Sequence, residues 1–298
     1  MKNTIGIALD TNICVKKLSA NGELVEELKF KNVVLDTGWD SFMRRVMDGD
    51  SEPRFLFLGT GTTEPSASDP GLESPSSSLP GKPRSNGRSL AGGEHDANHW
   101  WWRTRHRYDY DAGEAEGTWT ELGLAYDQAY SEPYNRSLFR DENGDPISIT
   151  VLADEYLQVF VDLIMYTPAG VVAEGEIVYD GQVHTWTVEY DNSKWQGWLG
   201  SKTPWYYNSG YLNRIDISNL TNGSDFTYSL TREEARGELE LHVRHGEDID
   251  LSGIVLRNDF TWRNTIYRIT FDPPLHKKAE DRLFGTMTWQ IVRAEVPE

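Results

Sequence analysis

Cysteine is nearly absent. Cys14 stands alone among 298 residues, which excludes an intramolecular disulfide and any cysteine-built zinc site. Long apolar runs are missing as well: no stretch approaches the roughly 20 residues that a helix needs to cross a bilayer. The opening residues Met1 to Asn12 lack the charged-then-apolar layout of a secretory signal, so membrane insertion is not expected. Positive charge is scarce. Lys and Arg number 29 against 47 Asp and Glu, a formal net charge of −18. That field repels phosphate backbones and anionic lipid over most of the surface, so no nucleic-acid partner is expected.

What the chain does have is aromatic residues, 12% of the total, with 11 Trp and 14 Tyr. A single compact unit of this length can bury about 75% of its unfolded surface. Alternation at Ile5, Ile7 and Leu9, then Ile13, Val15 and Leu18, leads to Asn21-Gly22 and on to Leu24, Leu28 and Phe30. Asn-Gly supplies the positive φ angles of a tight hairpin turn, so two strands joined there are predicted. From Asp36 to Met47 the period lengthens to that of a helix, with Trp39, Phe42, Met43, Val46 and Met47 on one face and Asp36 or Thr37 as cap. Phe55 to Leu58 reads as a buried strand entering Gly59-Thr60-Gly61-Thr62-Thr63.

Residues 64–99 carry Pro65, Pro70, Pro75, Pro80 and Pro83 with a serine cluster at 74–78, and are expected to form a flexible arm. From Trp100 onward short alternating segments are separated by Asn-Gly, Asp-Gly, Gly and Pro turns at roughly the 8–12-residue spacing of a sandwich or barrel. Thr231 to Arg236 is the only other helical candidate. The expected fold is all-β, with sandwich or jelly-roll-like antiparallel sheets and one short N-terminal helix. The best boundary is Thr167-Pro168-Ala169-Gly170. It divides an N-terminal β domain, 1–165, from an aromatic-rich 166–298, which is either a domain or an insertion.

Candidate chemistry is thin. Gly59 to Thr63 suggests a phosphate loop, but lacks the lysine and a following helix, so a strand-ending turn is expected. His95, Asp96, His99 and His106 hold no fixed common face, and metal sites need a preorganised shell. Asp109, Asp111, Glu114 and Glu116 could pair as glycosidase acids. They flank Ala112-Gly113, where acidic residues are ordinary turn choices. Cys14 reads as a small buried hydrophobe. No catalytic residue, metal or cofactor is assigned. Trp100, Trp101 and Trp102 cannot all face inward from one strand, because side chains alternate. Together with Trp195, Trp198, Trp205, Tyr206 and Tyr207 they are the candidate contacts for a partner or a glycan. Trp119, Trp262 and Trp289 are expected in the core.

A set of ordered pieces runs along the chain: Lys31 to Gly38 (KNVVLDTG), Phe57 to Pro65 (FLGTGTTEP), Ser68 to Glu73 (SDPGLE), Thr118 to Leu124 (TWTELGL), Leu138 to Arg140, Pro146 to Ile149 (PISI) and Glu155 to Leu163 (EYLQVFVDL). Ile269 to Lys277 and Met287 to Gln290 close the set. This order resembles a group of tailed-bacteriophage virion proteins described as tail, fibre-attachment or minor structural proteins. The resemblance covers about 30–165 and the last 35 or so residues, and leaves 74–99 and 166–262 without a counterpart. It implies a non-enzymatic structural component of a virion, most simply a tail-associated adaptor or fibre component. A capsid decoration or head-fibre protein is the near alternative, and a carbohydrate-binding module the alternative from another class. The implied partners are other virion proteins and further copies of the chain, with a host surface glycan as a possible ligand. The group shares no catalytic residues to carry over.

Overall fold

A computed structural model describes residues 2–48, 52–85, 89–190, 212–217, 226–233, 236–243, 249–258, 264–278 and 283–297. The elements of the first half are β1 (Lys2–Leu18), β2 (Leu24–Lys31), β3 (Val33–Val34), α1 (Asp36–Asp48), β4 (Phe55–Gly59), β5 (Lys82–Pro83), β6 (Ser89–Asp96), β7 (His99–Tyr110), β8 (Gly117–Trp119), β9 (Glu121–Ala125) and β10 (Asn135–Leu138). They continue with β11 (Ile149–Val151), β12 (Tyr156–Pro168), β13 (Gly170–Tyr179), β14 (Gln182–Tyr190), β15 (Leu212–Ile217), β16 (Phe226–Glu233), β17 (Arg236–Val243), β18 (Ile249–Asn258), β19 (Asn264–Lys277) and β20 (Leu283–Arg293). The fold is all-β, with α1 the one helix among the described residues.

The expected first hairpin is present, closed by Gly22 at φ 80° and by the Gly22 N–H donating to the Ser19 carbonyl. Its first strand spans 17 residues, with Ile7, Leu9, Thr11, Ile13 and Val15 turned inward at alternate positions. That length lets β1 serve two neighbours on one side, β20 along its first half and β2 along its second, with β12 on the other. The resulting eight-stranded sheet runs β16-β17-β20-β1-β12-β7-β6, with β2 also on β1. The β1–β20 pairing is parallel, a departure from a wholly antiparallel expectation.

A five-stranded sheet, β3-β10-β9-β4-β5, packs against its inner face. Ile13, Val15, Tyr108, Leu157, Val159, Val161 and Leu163 meet Leu56, Leu58, Leu122, Leu124 and Phe139 in one core, and the Phe30 and Phe139 rings bridge the layers at 5.9 Å. Trp119 is buried as expected, its indole N–H donating to the Ala115 carbonyl. Trp262 lies outside the described residues.

Two departures fall where proline and charge dominated the sequence. Within 64–99, Lys82–Pro83 and Ser89–Asp96 are strands, and Thr231 to Glu233 belongs to β16 where a helical turn was expected. Cross-strand pairing with β4, β7 and β17 respectively supplies what local propensity does not. At Thr167–Gly170 the chain leaves the first sheet for another, β13-β14-β19-β18-β15, and returns to it through β16, β17 and β20.

Helix α1 is held at its entry by contacts from distant segments. The Leu35 N–H donates to the Tyr134 carbonyl, and the Thr37 hydroxyl donates to the Pro133 carbonyl. The Arg293 guanidinium donates to the Asp36 carboxylate and the Val34 carbonyl. Gly38 has no side chain because a Cβ there would lie 2.0 Å from the Tyr134 carbonyl oxygen. Helix propensity alone favours Gly38→Ala by about 1 kcal/mol. The clash reverses the sign, and a net loss of about 1–3 kcal/mol is expected in urea unfolding, as for an overpacked core.

Candidate functional site

The Gly59–Thr63 turn that suggested a phosphate loop does present its amides to an anion, and the anion is internal. Glu121, fully buried at the start of β9, accepts at Oε1 from the N–H groups of Gly61 (3.0 Å) and Ser74 (2.7 Å). Its Oε2 accepts from the Glu73 N–H (3.1 Å) and the Arg136 Nε–H (2.8 Å). Glu73 Oε2 in turn accepts from the Thr62 N–H (2.7 Å) and the Thr63 N–H (2.8 Å). A Cβ on Gly61 would stand 2.5 Å from Glu121 Oε1, so this glycine permits the close approach of carboxylate to backbone.

Arg136, its side chain 3% exposed, completes the knot. Beyond Glu121 it donates through Nη1 to Asp69 (2.6 Å), and through Nη2 to the Thr63 carbonyl (3.0 Å) and Glu73 (3.3 Å). Three carboxylates thus surround one guanidinium, and backbone amides satisfy the remaining negative charge. The knot pins the irregular chain from Thr60 to Ser76 onto β4 and β9, helped by Tyr130, whose hydroxyl accepts from the Leu72 N–H. The Asp69 carboxyl is held below its ordinary range, chiefly by the Ser66 N–H and then by Arg136. That of Glu73 is lowered chiefly by the Thr63 amide and hydroxyl.

The opposite, outward face of the eight-stranded sheet is a grid fixed by register. From β2 to β7 the outward rows are Glu27, Lys29 and Lys31; Lys16, Cys14, Asn12 and Asp10; Gln158, Phe160, Asp162, Ile164 and Tyr166; and Asp109, Arg107, Arg105, Arg103 and Trp101. Arg105 grips Asp162 through Nε and Nη2, both at 2.7 Å. Glu27 sits between Lys29 (2.9 Å) and Lys16 (3.2 Å), which hold its carboxyl down at about 2. Phe160 has Lys16 Nζ 5.9 Å and the Arg107 guanidinium 5.7 Å from its ring centre. Cys14, expected inside, is half-exposed here, since Ile13 and Val15 take the inward positions. Its thiol donates to Glu27, and burial, then Glu27, raises its pKa. Asn12, Cys14, Lys16, Glu27, Lys29, Lys31, Arg105, Phe160 and Asp162 line a furrow of about 620 Å³ across four strands.

The three adjacent tryptophans divide as alternation requires. Trp102 is buried inward against Gly92, where an added Cβ would lie 2.4 Å from the indole. Trp100 is half-buried on the same side of β7. Trp101 is half-buried on the outward face, opposite Tyr166, whose ring meets His95 at 5.1 Å. Trp195, Trp198, Trp205, Tyr206 and Tyr207 lie outside the described residues, so they are not placed relative to Trp101.

Several of the remaining candidates have internal partners. Asp109 accepts from Arg107 (2.7 Å) and Ser85 (2.6 Å), and Glu114 accepts from Lys82 (2.5 Å) and the Asp111 N–H (2.8 Å). Asp96 closes the β6–β7 turn by accepting from the Asn98 N–H and contacting His99 at 3.0 Å. His106 faces inward, 3.5 Å from the buried Glu52. Sequence reasoning missed both the knot and the furrow. The signals that mark them are a lone Glu at the head of the buried Glu121–Ala125 strand, and the alternating Arg103, Arg105, Arg107 and Lys29, Lys31 series.

No protein-family model, no curated protein and no solved structure matches the chain.

Removing one member of the knot leaves buried charge uncompensated. Glu121→Gln should cost about 3–5 kcal/mol in denaturant unfolding, and the apolar pair Glu121→Leu with Arg136→Met should cost less than the two single changes together. The acid response follows from the depressed carboxyls. Their stabilisation is present above the unfolded values near pH 4 and is lost as pH falls through the folded ones. Hydrogen exchange at the Thr62 and Thr63 amides, normalised for intrinsic rate, should therefore lose protection between about pH 5 and pH 3.

Proposed function

We propose that the chain is a non-enzymatic structural subunit of a tailed-phage virion, a tail-associated adaptor or a component of a fibre or appendage. The observation that carries this reading is the convergence of the phage-like pieces in the knot. FLGTGTTEP supplies Gly61, Thr62 and Thr63; SDPGLE supplies Asp69 and Glu73; TWTELGL supplies Glu121. The lead piece KNVVLDTG supplies the helix entry held by Tyr134 and Arg293. Side chains that share such pieces without presenting a reactive group serve a scaffold, because their donors and acceptors are used on one another.

Assembly surface is available for copies of the chain or other virion proteins. Strand β6 ends the eight-stranded sheet, and a terminal strand is natural material for pairing with a neighbour. At the tip of the β13–β14 hairpin, Val178 and Val183 face each other across the register and are 69% and 52% exposed. The turn below them, Asp180 at φ 48° and Gly181 at φ 79°, is the kind that keeps such a hairpin projecting.

Immunogold labelling of intact particles with antibody against this chain tests the reading. Gold on the tail or its tip is expected. Gold spread over the head would make the chain a capsid decoration or head-fibre protein, and unlabelled particles would overturn the virion assignment.

A further inference from the structure

We infer that the furrow across β2, β1, β12 and β7 binds an acidic oligosaccharide, a run of carboxylate-bearing sugar rings. Charge is the first reason. The chain carries −18 overall, yet the furrow is lined by the four cations Lys16, Lys29, Lys31 and Arg105 against the two carboxylates Glu27 and Asp162. A local excess of positive charge on an acidic protein concentrates anionic ligand at that place.

Composition of the lining is the second reason. A bare phosphate or polyphosphate calls for donors only, and carboxylates would repel it. A sugar ring offers hydroxyls that both donate and accept, with an apolar C–H face. The furrow offers the complement: ammonium and guanidinium donors, carboxylate acceptors, the Asn12 amide, and the Phe160 ring between them. Its volume, about 620 Å³, lies in the range of small-ligand clefts.

Preorganisation is the third. Arg105 is fixed in one orientation by its two-point grip on Asp162, and among the described residues its Nη1 has no partner. Lys29 and Lys31 are 69% and 73% exposed, and each makes a single carboxylate contact, so ammonium protons remain for an incoming carboxylate. Lys16, Arg105 and Phe160 stand on β1, β7 and β12, each paired to a neighbour along both edges, and β2, which carries Lys29 and Lys31, is hydrogen-bonded to β1 from Leu24 to Lys31, which keeps the spacing set. Such binding is independent of whether the chain belongs to a particle, and differs from the tryptophan sites expected from sequence.

Cys14 provides the reporter, being the single cysteine and lying inside the furrow. Its alkylation by a neutral maleimide is timed with a short oligogalacturonate, a neutral malto-oligosaccharide or a poly-glutamate peptide present, alongside calorimetric titration of each. The acidic sugar alone should slow alkylation and give a binding isotherm that weakens as salt rises. Lys29→Gln with Lys31→Gln, two surface changes that leave the core untouched, should weaken the isotherm by about tenfold. Phe160→Leu, which keeps apolar volume and removes the ring, should weaken it as well. Equal protection by the malto-oligosaccharide overturns the inference. Equal protection by poly-glutamate overturns it in favour of an acidic protein segment. No protection by any of the three overturns it outright.

Discussion

Glu121 enters the interior as a carboxylate with no exposed surface, and the N-terminal half of the molecule is arranged around keeping it satisfied. A buried charge is tolerated only with a partner and full hydrogen bonding. Arg136 provides the partner, and the amides of Gly61, Glu73 and Ser74 provide the rest. One consequence is structural. The proline-rich chain from Thr60 to Ser76, which has almost no apolar side chains to bury, is held by charge and amide contacts where a core would ordinarily do it. Another is chemical. A glycine turn whose amides would attract phosphate is already filled, so the resemblance to a nucleotide loop and the absence of its lysine have one explanation.

The second constraint is the length of β1. Its seventeen residues let one strand bridge the first hairpin and β20, and the parallel β1–β20 pairing ties residues far apart in the chain into the same sheet. Arg293, the last residue of that pairing, reaches the entry of α1. The Thr167–Gly170 segment is thus the first place where the chain crosses from this sheet to β13-β14-β19-β18-β15, and it crosses again after β15, β17 and β19.

The two faces of that sheet have been given different work by simple parity. Inward positions of β1, β7 and β12 are mostly aliphatic or aromatic, with Thr11, Thr104 and His106 buried among them, and close the core. Outward positions carry paired charges around Phe160, with Trp101 and Tyr166 at one end. Surface ion pairs of this kind contribute little stability individually. Their value lies in fixing cations and acids at set spacings on a rigid face, which is the condition for recognising a ligand. The knot uses its charged groups on one another, while the outer face leaves Lys29 and Lys31 exposed.

The sequence by itself determined the class of fold and most of its elements. Period-2 alternation, Asn-Gly and Asp-Gly turns and one helical period depend on neighbours a few residues apart, and β1, β2, α1, β4, β7 and β12 were legible for that reason. It also required that Trp100, Trp101 and Trp102 be split between faces. Only the tertiary structure decided the rest, because the deciding partners are distant in the chain. Ser89–Asp96 becomes a strand through β7, and Thr231–Glu233 through β17. Glu121 and Arg136, separated by a turn and surrounded by residues from 61–74, meet only when β9 and β10 pair. The furrow needs four strands in one register before Lys29, Lys31, Arg105 and Phe160 share a surface. Local periodicity fixes which face a side chain takes; which side chains stand beside it is set by pairing across the whole chain.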